Sequence, residues 1–331
     1  MLGDLFQCDP DLRLAGSEIH LDPAESRKIG VISHGHGDHI GRHEHFVATL
    51  PTAAFLRLRS GFDLRGTELP YRTAHALGGG WIVELFPAGH ILGSAMVRAT
   101  STRGSLLYTG DFRLSPSYTA EPAEIVEADA VIMESTYGAS PEWIFPSREE
   151  LRERLNVLVR QIVDRGKTPV LLGYSLGKAQ ETMAMLRDSG LPVVVHPVVA
   201  QLSGVYAANG IDLGTYEVWG RQSSLFGARS TTDLRGKAII IPPHMTAEVR
   251  RIPNGETVAL TGWSLRGSWQ GTDHGLPLSD HADFNELIAF AEASRAKVIY
   301  VTHGSKRFAE ELRRRGMRAE FLRPKPQMRL F

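Results

Sequence analysis

The feature that most constrains this chain is a cluster of imidazole and carboxylate side chains near its start. His34, His36, Asp38 and His39 fall within six residues. They directly follow the apolar run IGVIS, whose composition predicts a buried strand. Two interspersed glycines let the backbone turn so that neighbouring side chains can point to one place. Because zinc prefers imidazole nitrogen and carboxylate oxygen as ligands, the cluster predicts a metal site at a strand end.

The first 150 residues predict a strand-rich region whose loops carry polar groups. Short apolar or alternating runs recur there: KIGVISHGHGDH, AAFLRLRS, WIVELFPAGH, SLLYTGDF and DAVIMEST. Each run has the length and composition of a strand that delivers polar residues into a loop. Since a rigid sheet presents chemistry in such loops, we expect the functional residues there.

Near Ser147 the pattern changes to alternating helices and strands. The segment SREELRERLNVLVRQIVDRG places Leu151, Leu155, Leu158 and Ile162 at helical intervals behind a capping serine. TPVLLGYS and LPVVVHPVV are predicted as buried strands, and GKAQETMAMLRDSG as a helix. Further on, DFNELIAFAEAS and SKRFAEELRRRG are predicted as helices on either side of a strand, KVIYVTHG. Such alternation is typical of parallel α/β units.

The H-x-H-x-D-H pattern resembles the metallo-β-lactamase superfamily. That resemblance implies an isolated histidine and an isolated aspartate at later strand ends, and the sequence has His90 after LFPAG and Asp111 after LLYTG. It implies one metal ion held by His34, His36 and His90, a second held by Asp38 and His39, and Asp111 as the bridge between them. Two such ions lower the pKa of a shared water and stabilise charge on a phosphoryl oxygen.

Three further motifs resemble those of the β-CASP nucleases. They are Glu134 in VIMESTYG, His281 in LSDHADF and His303 in VIYVTHGS. The resemblance implies that His303 completes the second metal site. It implies catalytic roles for Asp38, Glu134 and His281, with His281 as general acid and Glu134 orienting it. An imidazole with a pKa near 6.5 can donate a proton at neutral pH.

The resemblance covers about residues 20 to 320 and implies a fold and a domain order. The expected fold is α/β, a metallo-β-lactamase αββα sandwich made of residues 1–150 and 265–331. An α/β β-CASP cap domain, residues 151–264, would be inserted into it, with the active site in the cleft between them. In the cap, the stretch GYSLGKAQE resembles the family's strand-to-helix turn. Because amides at a helix N-terminus attract anions, Ser175 and Lys178 are expected to contact a substrate phosphate there.

The motifs together look most like the bacterial DNA ligase-associated exonucleases, also described as mRNA 3′-end processing factor-like. This resemblance implies a DNA exonuclease acting in DNA repair beside a ligase and a helicase, with two divalent ions, zinc favoured and manganese as the alternative. His303 is the residue that RNA-processing members carry, so RNA processing is the main alternative. A small-molecule metallo-hydrolase and an inactive nucleic-acid-binding scaffold are two further alternatives.

Composition indicates the cellular compartment of the protein more than the reaction that it catalyses. Lys and Arg number 37, Asp and Glu also number 37, and so no bulk positive charge indicates nucleic acid. The single cysteine, Cys8, excludes a disulfide within the chain and fits a reducing compartment. No apolar run approaches the ~20 residues of a membrane span. These features predict a cytoplasmic protein without a membrane partner.

Overall fold

The computed structural model describes residues 5–8, 11–37, 41–61, 64–220, 234–267, 269 and 271–322. The chain divides into two compact units, one made of residues 1–144 and 280–331, the other of residues 145–279. The predicted cap, 151–264, falls within the second unit, whose limits lie six residues earlier and fifteen residues later. Its role as a cap stays a prediction.

The first unit contains two sheets. The first sheet has six strands in sequential order: β1 Phe6–Cys8, β2 Leu12–Leu14, β3 Ile19–Leu21, β4 Ile29–Val31, β5 His45–Ala48 and β6 Gly66–Glu68. The second sheet has seven strands: β7 His75–Gly78, β8 Trp81–Pro87, β9 Ala95–Ser101, β10 Gly104–Tyr108, β11 Ala130–Glu134, β18 Val298–Thr302 and β19 Ala319–Phe321. Their spatial order is β19-β18-β11-β10-β9-β8-β7. In its described residues three helices complete the unit: α1 Leu50–Ser60, α6 Phe284–Ala293 and α7 Lys306–Arg314.

The alternation of side chains along β11 shows how these layers pack. Ala130 and Ile132 belong to a buried core that also contains Val31 and Val47 of the first sheet. The intervening residues of β11 point to the opposite face, because successive strand side chains alternate.

That opposite face packs on helices. Val131 and Met133 share a second buried core with Leu287 of α6 and Phe308 of α7. On the far side of the first sheet, Phe46 packs with Leu56 of α1. The order of layers is therefore helix, sheet, sheet, helix, and the αββα sandwich predicted from the sequence is confirmed.

The second unit is built on one parallel sheet. Its strands are β12 Thr168–Leu172, β13 Val193–Val195, β14 Tyr216–Val218, β15 Ala238–Ile241, β16 Gly255–Leu260 and β17 His274–Leu276, in the spatial order β14-β13-β15-β12-β16-β17. All five strand pairings are parallel, as the alternation predicted. The helices are α2 Arg148–Asp164, α3 Lys178–Leu186, α4 Pro197–Ala208 and α5 Thr246–Val249, with a 3-10 turn at Gly262–Arg266.

Two local predictions from the sequence are wrong. AAFLRLRS is not a strand but part of α1, whose N-cap Thr49 accepts a hydrogen bond from the Thr52 amide at 3.3 Å. LPVVVHPVV is a strand only as far as Val195, because His196 caps α4 and Pro197 occupies its first turn. The helix predicted after Ser147 is confirmed as α2, whose buried face includes Val159, while Leu158 is half-buried.

Four strands of the second sheet, together with β4 of the first sheet, deliver their C-terminal ends to one region of the first unit. β8 and β10 both pair antiparallel to β9, so they run in the same direction, and β10, β11 and β18 are mutually parallel. Glu134 and Thr302 are in register at the ends of β11 and β18. The first sheet joins this edge through the Ala95 amide, which donates to the Ser33 carbonyl, 2.7 Å away. None of the helices in the described part of the chain combines the length and hydropathy needed to cross a membrane.

Candidate metal centre

Four of the predicted ligands meet at this edge. His34 and His36 follow β4, His90 follows β8, and Asp111 follows β10. Each offers one ligand atom, and these four atoms all lie within 4.8 Å of one another. Apart from His34 and His36, these residues lie far apart in the sequence. The site is therefore formed where the ends of several strands meet, and not by the first motif alone.

The distances at the centre fit a common ion. Nε2 of His90 lies 3.1 Å from Nδ1 of His36, and Oδ2 of Asp111 lies 3.5 Å from Nε2 of His34 and 3.8 Å from Nε2 of His90. Four ligands at about 2.1 Å from a tetrahedral zinc ion would lie about 3.4 Å apart. The donor set and its spacing therefore suit a divalent metal such as zinc.

Hydrogen bonds set the tautomer of His34. The Ser33 hydroxyl donates to Oδ2 of Asp22, so it can only accept from the imidazole, whose Nδ1 lies 2.9 Å away. Tyr108 donates to the same Asp22 oxygen at 2.9 Å, and the Ser33 amide donates to Oδ1 at 2.7 Å. With its proton on Nδ1, His34 presents the lone pair of Nε2 to the centre.

His90 is prepared in the same way. Its Nδ1 donates to the Asp280 carbonyl at 2.9 Å, because a carbonyl can only accept, and Nε2 is left as the ligand atom. Burial, followed by the nearby His281, lowers the pKa of His90 to about 4. The ring is therefore neutral at pH 7, which is the form that binds a metal.

A glycine permits the close approach of the loops that carry two of the ligands. Gly110 has φ +54°, and a Cβ atom there would lie 2.6 Å from the Ser33 hydroxyl oxygen. Any larger residue would separate Asp111 from the serine that orients His34. The glycine before Asp111 is thus required by both backbone conformation and space.

Asp111 has one oxygen on each side of the site. Oδ2 faces His34 and His90, whereas Oδ1 lies 3.8 Å from Nδ1 of His303. His303 follows β18 with φ +53°, a conformation uncommon for histidine. This arrangement is consistent with a bridging carboxylate, the role that the resemblance implies.

Glu134 and His281 lie beside these ligands. Nδ1 of His281 is 2.9 Å from Oε1 of Glu134, and the same oxygen accepts from the Phe112 amide at 3.1 Å. The other oxygen accepts from the hydroxyl of Thr136 at 2.5 Å and from its amide at 3.2 Å. The buried carboxylate thus has four donors, and one of them is the imidazole. Ligand atoms of Asp111, Glu134 and His281 lie within 4.8 Å of one another.

The remaining predicted site residues fall elsewhere. Asp38 and His39 lie outside the described residues, so their roles stay predictions. Ser175 and Lys178 are in the second unit, at the turn into α3, where Lys178 is buried and its ammonium lies 4.9 Å from the centre of the Tyr174 ring. Sequence reasoning missed Asp22, Ser33 and Thr136 as orienting groups. Only the position of Ser33 directly before His34, and of Thr136 two residues after Glu134, could have indicated two of them.

Comparison with known proteins places this geometry in a family. The protein-family model described as "Zn-dependent metallo-hydrolase RNA specificity domain" matches residues 274–321 of this chain. A "Probable DNA ligase" of Opitutus terrae is 37% identical over 90% of this chain and 29% of its own length. "RNase aCSPSF2" of Saccharolobus solfataricus is 29% identical over 50% of this chain and 39% of its own.

The chain belongs to the metallo-β-lactamase β-CASP family. A third relative, "5′ exonuclease Apollo" of Gallus gallus, is 27% identical over 84% of this chain and 60% of its own length. The chain therefore spans between 29% and 60% of the length of these three curated relatives. A crystal structure of a protein of unknown function from Enterococcus faecalis has the same fold, with a TM-score of 0.62 over 90% of this chain and 79% of that chain, at 16% identity.

Proposed function

We propose that this chain is a metal-dependent nuclease that hydrolyses phosphodiester bonds. The observation that carries the proposal is the His281–Glu134 pair, joined at 2.9 Å, beside a metal-binding set of three imidazoles and a carboxylate. A bound metal ion would activate the water that attacks phosphorus. The oriented imidazole would protonate the leaving oxygen. The residues for both steps, attack by water and protonation of the leaving oxygen, therefore lie at the same edge of the sheet.

The residues divide this chemistry between them. Bound divalent ions supply an activated water and neutralise charge on the phosphoryl oxygens. His34, His36, His90 and Asp111 would hold one ion, and Asp38, His39, His303 and Asp111 would hold a second. Glu134 keeps a proton on Nδ1 of His281 and stabilises the imidazolium, so that Nε2 can protonate the leaving oxygen. Asp38, Glu134 and His281 form the catalytic set.

We further propose DNA as the substrate, with exonuclease action in DNA repair. The support is the relative named "Probable DNA ligase". The match covers 90% of this chain but only 29% of that relative, whose remaining length can carry a separate activity. A relative named as a 5′ exonuclease also matches 84% of this chain. A functional link to a ligase and a helicase follows from this proposal.

RNA is the second candidate substrate, and separate observations favour it. The matching family model is described by RNA specificity, and one relative is named as an RNase. Nδ1 of His303 lies 3.8 Å from Oδ1 of Asp111, and the family resemblance assigns a histidine at this position to the RNA-processing members. The reaction and the site are the same in both proposals.

A gel assay separates the candidates. Single-stranded DNA and RNA of one sequence, labelled at the 5′ or the 3′ end, are incubated with the protein and Mn²⁺ or Zn²⁺. His36→Ala is the control. Stepwise shortening of DNA from one end, absent in the variant and in chelator, supports the DNA exonuclease and gives its polarity. Preferential RNA cleavage supports RNA processing, and equal cleavage by His36→Ala overturns the metal-dependent mechanism.

A further inference from the structure

The first turn of α6 contains a carboxylate that the proposed chemistry does not use. Glu286 is the third residue of this helix, and Asp283 is its N-cap. The Glu286 amide donates to Oδ1 of Asp283 at 2.9 Å, and the Asp283 amide donates to Oε2 of Glu286, also at 2.9 Å. This reciprocal pair is a capping box, and it needs only one oxygen of the glutamate. Oε1 is therefore available to a second partner.

The second oxygen reaches a loop that is distant in the sequence. Oε1 of Glu286 accepts from both the amide and the hydroxyl of Ser115, which lies 171 residues earlier. Ser115 follows Asp111 in the loop after β10, and Glu286 follows His281 at the start of α6. One carboxylate thus joins the segment that carries the bridging aspartate of the site to the segment that carries the proposed general acid.

A second contact joins the same two segments closer to the metal centre. The Ala282 amide donates to the Phe112 carbonyl at 2.6 Å. The Phe112 amide donates to Oε1 of Glu134 at 3.1 Å, and this is the oxygen that faces Nδ1 of His281. The segment that begins with His281 is therefore attached to the loop after β10 at two points.

The loop after β10 is also held independently of α6. Phe112 is fully buried in the core, and the Arg113 amide donates to the Ala88 carbonyl at 2.9 Å. Asp111 precedes these two anchors directly. We therefore expect Asp111 to keep its place when the contact with Glu286 is removed.

The segment of His281 depends more on Glu286. Its backbone is anchored by the Ala282 amide and by the Phe284 amide, which donates to the Trp143 carbonyl at 2.9 Å. These bonds support the start of α6, and so the helix can form without the glutamate. The His281 side chain precedes both anchors and is 21% exposed. Small movements of the first turn of α6 are thus transmitted to the imidazole.

We propose that Glu286 is a positioning residue, which holds His281 against Glu134 at the geometry that proton transfer requires. This role rests on the proposed nuclease function and assigns a further residue to it. A proton donor must lie within hydrogen-bond reach of the leaving oxygen, and a misplacement of about 1 Å is enough to slow a reaction. Because Glu286 acts through His281 and not on the substrate, its loss should change kcat and not KM.

The test compares two substrates that differ in their leaving group. An oligonucleotide cleaved in the gel assay releases an alkoxide oxygen, which needs the proton from His281. Bis(p-nitrophenyl) phosphate releases a nitrophenolate, which departs without a proton. We expect Glu286→Ala to lower kcat about tenfold on the oligonucleotide and no more than about twofold on the nitrophenyl ester. KM for each substrate and the dissociation constant for Zn²⁺, titrated into the metal-free protein, should stay within about twofold.

Two matched variants separate positioning from helix capping. Glu286→Gln keeps one acceptor oxygen, which the two donors of Ser115 retain, and it should cleave the oligonucleotide within about threefold of the unsubstituted chain. Ser147→Ala removes the N-cap of α2, whose hydroxyl accepts from the Glu150 amide at 3.2 Å. It should lower the midpoint of thermal unfolding by about 2–4 °C and leave kcat unchanged on both substrates.

Two results would overturn the positioning role while leaving the proposed function in place. One is oligonucleotide cleavage by Glu286→Ala at the rate of the unsubstituted chain. The other is an equal loss of kcat on both substrates, since that would show a general disturbance of the site. If Glu286→Ala does not fold, as judged by circular dichroism, Glu286→Asp takes its place, because its carboxylate is one methylene too short to reach Ser115. An unsubstituted chain that cleaves neither substrate would overturn the proposed function itself, and the role of Glu286 with it.

Discussion

Nδ1 of His281 lies 2.9 Å from Oε1 of Glu134, a carboxylate that is only 1% exposed. The phenylalanine and threonine amides that also donate to this carboxylate hold it in place, so the imidazole is oriented by a rigid acceptor. The pair connects the end of β11 with the loop that precedes α6. A buried acceptor of this kind determines which nitrogen of the histidine carries the transferable proton.

Replacing Glu134 by Gln should lower kcat about 10²- to 10³-fold, because the imidazolium loses its charge partner. KM and metal content should change little, since the oxygens of Glu134 already accept hydrogen bonds from His281, Phe112 and Thr136. Steady-state kinetics on an end-labelled oligonucleotide, with metal analysis of the same sample, checks this. His281→Ala should have a similar effect, and the double variant should be no worse than either single one. Additive losses would argue that the two residues act independently.

Ser33→Ala should weaken metal affinity about tenfold, because the hydroxyl orients His34 at 2.9 Å from Nδ1. Titration of the metal-free protein with Zn²⁺ in competition with a chromogenic chelator measures the dissociation constant. Ser60→Ala, a change at the end of α1, is the matched control and should leave it unchanged. Equal affinities in Ser33→Ala and the control would show that the serine does not support the ligand.

His43 should make the first unit less stable in acid. Burial lowers its pKa to about 4 from 6.5, and Nδ1 accepts a hydrogen bond from the Arg27 amide at 3.2 Å. Below pH 6.5 the unfolded chain takes up the proton more readily than the folded one. The stability contribution is therefore complete above pH 6.5 and is lost as pH falls to about 4, by about 2–3 kcal/mol.

Urea unfolding of the metal-free protein between pH 4 and 7 checks the effect of His43. His43→Gln should reduce the dependence of the free energy of unfolding on pH in this interval by the share of His43, while His90, whose pKa burial also lowers to about 4, retains its own share. His244→Gln, at an exposed position, should retain the dependence. An unchanged slope in His43→Gln would assign the acid sensitivity to another group.

The buried ion pair of the second unit should be costly to break. Nε of Arg148 lies 2.7 Å from Oε1 of Glu181, and the two side chains are 7% and 2% exposed. Glu181→Ala should lower the free energy of unfolding by about 3–5 kcal/mol, because it leaves a buried guanidinium uncompensated. Replacing both residues by apolar ones of similar size should recover most of the loss.

Denaturant unfolding of both variants tests this, with Glu150→Gln as the control. Glu150 and Arg154 form an exposed pair, 48% and 52% accessible, which contributes no more than about 1 kcal/mol. A loss from Glu181→Ala no larger than that of the control would mean that water reaches Arg148 and screens its charge.

The sequence was most informative where chemistry and spacing agree. The αββα sandwich and the parallel second sheet followed from strand-end motifs, periodicity and family resemblance. The prediction failed at AAFLRLRS, because a short apolar run does not distinguish a strand from a helix. Thr49 and Gly61, which cap α1 on either side, carried the signal that was overlooked.

Residue types and their order along the chain thus determined by themselves which side chains could bind a metal, since ligand chemistry belongs to the side chain. Only the tertiary structure decided how they are presented. Asp22 orients His34 through Ser33, and Asp280 orients His90 through its backbone carbonyl, 190 residues away along the chain. Such contacts depend on which strand ends share an edge, and a carbonyl group, common to every residue, leaves no signal in the sequence.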